Sequence, residues 1–256
     1  MNEKELITYY NKFNEDKRLK TKHGRIEYLT AIKYIEKYLK KKDKIIDIGA
    51  GTGAYSIYFY DKGYDVTAVE LVKHNLRIIE KNRPNLKAYQ GNATNLSKFK
   101  DNSFDIVLLF GPMYHLITKD EKIKALNEAK RIVKKNGYIF ISYCLNEYAV
   151  ITHGFKDNYI LKSISNNELD KDYKIISKTN DLYSFVRLDE IKELSKITEL
   201  KRVKILSQDG CAEYIKKEIN KMDDDTFNHF LKYHFSTCER KELLGAGRHI
   251  LDILKK

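Results

Sequence analysis

The 256-residue sequence predicts an α/β fold, a mostly parallel seven-stranded sheet with helices on both faces and a helical/β cap insertion. Three observations carry this. Short β-branched runs alternate with helix-period segments through the first half of the chain. The apolar runs at 44–48 and 104–110 show little polar alternation, as expected of strands covered on both faces. Strand, helix, strand in this order implies right-handed crossovers and therefore parallel pairing.

Each element has its own signal. Residues 24–41 place Ile26, Leu29, Ile32, Ile35 and Leu39 at helical spacing. KIIDI at 44–48 is a strand that runs into glycines, and 53–62 is a helix stopped by Gly63. YDVTAVE (64–70) is a second strand, and 74–82 a helix ended by the approach to Pro84. LKAYQ (86–90) is a third strand and FDIVLLF (104–110) a fourth. A helix at 119–134 leads through an Asn136-Gly137 turn into a fifth strand, 138–143. Residues 173–178 and 182–186 read as a hairpin around Thr179-Asn180-Asp181. Further helices are expected at 188–197, 211–221 and 223–245, with strands at 202–206 and 248–254. With two prolines and no linker-like tract, the chain reads as one domain over 1–256. Its core is about 24–145, 188–206 and 247–256, with an N-terminal lid at 1–23 and cap insertions at about 145–186 and 208–246.

Composition narrows the function. No apolar run approaches the roughly 18 residues of a membrane span, and the polar start offers no signal region, so a cytoplasmic protein is expected. Three cysteines without CxxC spacing argue against a disulfide framework or a cysteine-rich metal site. The histidines at 153, 229, 234 and 249 show no metal spacing and receive no role, so no metal is expected. Net charge is 48 − 36 = +12, which suits a nucleic-acid partner. Yet only 9 of the 48 basic residues are arginine, the residue that reads bases and clamps phosphates, and the lysines are dispersed. A lysine-rich solvated surface is the better reading.

The most informative stretch is Asp47-Ile48-Gly49-Ala50-Gly51-Thr52-Gly53. A strand enters alternate glycines and then a helix, a Rossmann-like arrangement in which backbone and ligand approach closely. Glu70 closes the second strand beside it, within reach of a ribose. Gly49-x-Gly51-x-x-Ala54 also fits a dinucleotide fingerprint, so the glycines alone leave two cofactor classes open. Asp47 favours a cofactor with cationic groups, because a carboxylate sits badly beside a pyrophosphate.

With these residues the chain resembles the class I S-adenosylmethionine-dependent methyltransferases, and within them the small-molecule, ubiquinone-biosynthesis-like type with its GPxYHL-like string, here Gly111–Leu116. The resemblance implies S-adenosyl-L-methionine as cofactor, held by Asp47, Gly49, Gly51, Gly53, Glu70, Leu71, Asn92, Ala93 and Phe110, with Tyr10 from the lid. At position 92 the family often has Asp, contacting the adenine amino group; Asn92 keeps a carbonyl acceptor. Gly-Pro-Met-Tyr is also similar to the (Asp/Asn)-Pro-Pro-Tyr motif of amino-methylating enzymes, but glycine stands where that motif has its acceptor.

Methyl transfer from a sulfonium releases a neutral thioether and needs no general acid; alignment and exclusion of water do the work. Residues after strands four and five are the candidates for acceptor chemistry: Phe110, Tyr114 and His115, then Tyr143 and Cys144. His115 is a candidate base or a residue that hydrogen-bonds backbone, and Tyr114 a candidate orienting group. Tyr9, Tyr10, Phe13 and Arg18 are expected in the lid, and cap aromatics such as Tyr148, Phe155, Tyr159, Tyr183, Tyr214, Phe227, Phe230 and Tyr233 in a roof over a small substrate. RNA methylation, from the basic charge, and cofactor-binding regulation without catalysis are the rival functions.

Overall fold

A computed structural model describes residues 3–10 and 15–256. In chain order its helices are α1 (Glu3–Tyr10), α2 (Glu15–Lys20), α3 (Lys22–Tyr38), α4 (Ala54–Asp61), α5 (Lys73–Asn82), α6 (Lys119–Ile132), α7 (Asn146–Ala149), α8 (Ile160–Ser165), α9 (Leu188–Ile197), α10 (Lys216–Lys221) and α11 (Asp224–Thr237). Its strands are β1 (Lys44–Ile48), β2 (Asp65–Glu70), β3 (Lys87–Gln90), β4 (Phe104–Leu109), β5 (Val133–Cys144), β6 (Lys201–Ser207) and β7 (His249–Lys255). They form one sheet in the order β3-β2-β1-β4-β5-β7-β6, in which only β7 runs against its neighbours.

Alternation along the strands builds two apolar layers, because successive side chains leave opposite faces. Ile46, Val107, Ile139 and Ile141 face α6 and α9, where Ala125, Leu126, Ala129, Ile191 and Leu194 meet them. Ile45, Ile106, Phe140 and Ile253 face α3 and α4, against Ala31, Ile32, Ile35 and Phe59. Local chemistry sets the helix ends. Thr118 and Glu121 close α6 with a reciprocal capping box, and Thr21 caps α3. Asp105, at the far end of β4 from the loops after Ile48 and Glu70, accepts from Lys44 N at 2.9 Å and pairs with Lys134, a structural role.

Several expectations need correction. Asn136-Gly137 does not separate helix from strand; β5 already begins at Val133 and carries the pair as a bulge, with Asn136 at φ 67° and a register shift against β4. Residues 173–186 do not form a hairpin. Their amides go elsewhere: Ile175 N to Asn146 Oδ1, Lys178 N to Asp181 Oδ2, Ser184 N to Tyr114 O and Val186 N to Cys144 O. Buried Lys122 completes the docking by donating to Leu116 O and to Ser184 Oγ. The helix expected over 223–245 ends at Thr237 and is followed by a 3₁₀ turn, Lys241–Ala246. The second insertion is a flank and not a roof: Phe227, with Phe230 against it, packs beside Ile26, Ala212 and Ile219. Phe155, Tyr159 and Tyr233 are exposed. Tyr143 is core.

β7 lies between two strands and holds a charge. Asp252 is fully buried and accepts Arg202 Nε at 2.7 Å and Nη2 at 2.9 Å. Burial pushes the Asp252 carboxyl up and only Arg202 counters it. Removing the partner strands a buried charge, so Arg202→Met should cost about 3 kcal/mol, read as a lower urea midpoint.

Candidate functional site

β1, β2 and β4 end on the same edge of the sheet, and their loops make one cleft. It is lined by these loops together with Leu6 and Tyr10 of α1 and Glu27 of α3. The parallel register brings the loop after Ile48 beside the end of β2. Gly49 N and Ala50 N both donate to Val69 O, at 2.8 and 3.1 Å. Gly49 has φ +74°, and a Cβ there would lie 2.5 Å from Pro112 Cδ, so glycine lets the β4 loop close against it. Gly51 differs. With φ +55° it would direct a Cβ into open space at the cleft wall, where a ligand can pass against bare backbone. Gly53 stands behind the loop at the start of α4, against Ile57 and Ile79, and does not line the cleft.

Two carboxylates flank the loop. Asp47 is buried, accepts Ser56 Oγ at 2.5 Å, and burial pushes its pKa up to about 6. Glu70 accepts Gly51 N at 2.7 Å and Val72 N at 2.9 Å, and burial pushes it up to about 7 against those bonds. Leu71, Asn92, Ala93 and Phe110 also line the cleft, as expected. Asn92 Oδ1 takes Thr94 N and Thr94 Oγ1, each at 3.0 Å, so its acceptor serves its own turn.

Helix α1 lies against this cleft. Leu6 and Tyr10 of α1 line it, and Tyr183 OH donates to Tyr9 OH at 3.2 Å. Arg18 pairs with Glu27 at 2.6 Å; Phe13 lies outside the described residues. His115 is buried with both ring nitrogens engaged, Nε2 with Tyr10 OH and Nδ1 with Leu182 O, each at 2.7 Å. The Leu182 carbonyl can only accept, so Nδ1 carries the proton and Nε2 accepts from Tyr10. Burial lowers the pKa of His115 to about 4, which keeps it neutral. Tyr114 lines the cleft beside His115 and Tyr183, with ring centres 4.7 and 6.0 Å away.

Sequence reasoning missed Glu27, which lines the cleft from α3. Burial would raise its carboxyl, but Arg18, His249 and Arg248 prevail and hold it at about 2. The one available signal was a carboxylate next to Ile26 on a helix's buried face. The histidines at 234 and 249, given no role, are also placed. His234 bonds Thr30 Oγ1 at 2.9 Å, and His249 Nδ1 donates to Asp209 Oδ2 at 2.7 Å beside Glu27.

Residues 46–141 match the family model described as "Methyltransferase domain". A putative methyltransferase of Bacillus subtilis, YqeM, is 30% identical over 110 residues, 42% of this chain and 44% of that protein. A demethylmenaquinone methyltransferase of Paenarthrobacter aurescens is 29% identical over 126 residues, 49% of this chain and 48% of that protein. The chain thus spans under half the length of these curated relatives. A solved Thermotoga maritima structure, described as an S-adenosylmethionine-dependent methyltransferase and possible histamine N-methyltransferase, superposes with a TM-score of 0.60. It is 22% identical, over 97% of this chain and 98% of that one, a likeness of fold.

The cleft fits S-adenosylmethionine. Gly51 leaves a bare wall, and Glu70 retains lone pairs beyond its two amide bonds for ribose hydroxyls. Both acids would meet a bound cofactor as carboxylates. Binding therefore weakens as pH falls through about 7 and then about 6, where the free protein takes up protons. Calorimetry should show about a tenfold loss of affinity from pH 8 to pH 6 from Glu70 alone. Glu70→Gln, whose amide cannot accept both backbone N–H groups through two oxygens, should bind at least about tenfold more weakly and lose that pH step.

Proposed function

We propose that this chain, whose residues 46–141 match a methyltransferase domain, is an S-adenosylmethionine-dependent methyltransferase that transfers a methyl group to a small-molecule acceptor. The observation that carries the acceptor class is the covered cleft: α1 lines it with Leu6 and Tyr10 and is tied to the 182–186 segment by Tyr9–Tyr183 and to the loop after β4 by Tyr10–His115. A polymer would have to displace both. The named activity of the Paenarthrobacter relative, on demethylmenaquinone, supports the same class.

When bound, the cofactor supplies a sulfonium-activated methyl and a neutral leaving group. The protein's part is to bind, orient and exclude water. Asp47 and Glu70 seat the cationic and ribose ends, and Gly51 lets the backbone approach. Phe110 and Tyr114 wall the cleft. His115 acts as a positioning residue: its ring joins Leu182 of the cap to Tyr10 of the lid, and its low pKa keeps that bridge neutral. A direct base would need Tyr10 to leave Nε2.

RNA as acceptor has less support. Part of the lysine charge is answered on the surface, as in Lys87–Asp65, Lys119–Glu193, Lys134–Asp105 and Lys204–Glu239, and the rest is dispersed along the chain. No described helix is long and apolar enough to cross a membrane.

The test is label transfer from methyl-labelled S-adenosylmethionine into a cell extract. Label is expected in the low-mass fraction, unaffected by ribonuclease and lost with Glu70→Ala. Label in RNA or protein, or cofactor binding without transfer, would overturn the reading. In the same assay Tyr10→Phe should raise the cofactor KM about three- to tenfold with kcat nearly unchanged, as loss of one neutral hydrogen bond predicts. A fall in kcat alone would instead make the Tyr10–His115 pair part of the proton chemistry.

A further inference from the structure

We infer that the cap insertion holds a second binding site, for the hydrocarbon chain of an amphiphile with a neutral hydroxyl head. The inference does not rest on the transferase reading above. The cap contains a cavity of its own, which shares no lining residue with the cofactor cleft. α7, the π-helical turn Val150–Lys156 that continues it, α8, the 168–175 segment and Phe185 build its wall. Such π-helical turns are rare and occur often at functional sites. Most of the wall is apolar: Val150, Ile160, Leu169, Ile175 and Phe185. Gly154 completes it. A Cβ there would come within 3.1 Å of Ile160 Cδ1, so glycine lets α8 close on the π-helical turn.

The polar part of the wall is small and of one character. It consists of His153, Ser163 and Glu168. His153 stacks on Tyr159 with ring centres 4.6 Å apart. Buried Ser163 donates to Glu168, and Asn166 Nδ2 donates to Glu168 Oε1 at 3.2 Å; these bonds hold the Glu168 carboxyl below the usual carboxylate range. An ionised carboxylate accepts a hydroxyl proton and repels a second carboxylate. An alcohol head therefore fits this pole and a fatty-acid anion does not. The outside of the same insertion is apolar as well. Of the ten large hydrophobic side chains that stand exposed among the described residues, seven lie between Ile151 and Ile176. Exposed apolar area gathered in one place marks contact with an apolar partner, and a poorly soluble chain needs such a surface on which to land.

Two sources offer this chemistry, the tail of the methyl acceptor and a separate lipid. Either would be felt at the cofactor cleft. The Phe185 ring centre lies 6.4 Å from that of Tyr183, and Tyr183 lies 6.0 Å from Tyr114, which lines the cleft. A file of three rings thus leads from one cavity to the other. A protein partner would cover the exposed residues without entering the cavity, so substitutions inside and outside it tell the two apart.

The test is displacement of the fluorescent probe N-phenyl-1-naphthylamine from the full chain by 1-octanol, 1-decanol, 1-dodecanol and dodecanoate. Each added CH₂ is expected to tighten alcohol binding about fourfold until the cavity is filled, and affinity then levels off. 1-Dodecanol should bind at least about threefold more tightly than dodecanoate, and Glu168→Gln should reduce that preference. Ile160→Trp, which fills the cavity, should weaken 1-dodecanol at least about tenfold while S-adenosylhomocysteine binds as before. Leu161→Ser, on the exposed surface, should leave the alcohol affinity within about twofold. If Ile160→Trp does not fold, Leu169→Phe fills the cavity from another wall and should act alike. Loss of label transfer in the presence of 1-dodecanol assigns the chain to the acceptor; displacement of the probe with label transfer unchanged assigns it to a separate lipid. No displacement by the alcohols, dodecanoate binding as tightly as 1-dodecanol, or alcohol binding that survives the cavity-filling substitutions and is lost in Leu161→Ser would overturn the site. Wild type that fails to bind S-adenosylhomocysteine would overturn the transferase reading and leave this one to the alcohol series.

Discussion

The pocket depends on one carboxylate bridging two chain segments. Glu70, the last residue of β2, accepts an amide from the loop after β1 and another from the start of its own following loop. Neither amide has a strand partner, and both belong to backbone that must stay open for a ligand. Burying a carboxylate is costly, which is why its proton affinity rises despite those bonds. The fold meets that cost because the same group shapes the glycine loop and leaves lone pairs facing the cleft. A neutral side chain could hold part of the loop but not offer the same set of acceptors.

Much of this was legible in the sequence because it is local. β1 and β2 are short apolar runs closed by an acid or a glycine, and α6 and α9 carry strong 3.6-residue periodicity and clear end signals. Helix α9, Leu188–Ile197, matches its expected bounds. The glycine loop and Glu70 were also readable, since the crossover rule brings the ends of β1 and β2 together. What failed was decided by distant partners. Residues 173–186 have strand-like composition, but Asn146, Tyr114 and Cys144 take their amides before they can pair with one another. The Glu27–Asp209–His249 group joins residues 182 and 40 positions apart, and no spacing rule reaches that far.

The three glycines show why a motif does not assign roles to its members. Alternate glycines in a tight loop look equivalent in sequence. In the fold Gly49 allows the Pro112 loop to close, Gly51 exposes backbone to the ligand, and Gly53 supports α4 from behind. His115 teaches the same lesson about chemistry. A histidine after β4 is well placed for proton transfer, yet its two bonds and its lowered pKa make it a strut between cap and lid.

Charge is divided accordingly. The surface carries the lysine excess, while the interior beside the cleft holds acids and guanidinium groups in close opposition. Asp47 and Glu70 meet the loop with burial-raised proton affinity, whereas Glu27 is held ionised by its cationic neighbours. A cation-bearing cofactor would be drawn to the first pair, because its charge restores what burial takes from a carboxylate. Glu27 already has Arg18 at 2.6 Å and His249 Nδ1 at 3.5 Å, so it leaves little charge for that cofactor to answer. One side of the cleft therefore calls for positive charge while the other is already compensated, an asymmetry that would orient a cationic cofactor by electrostatics before any contact with the transferring methyl is made.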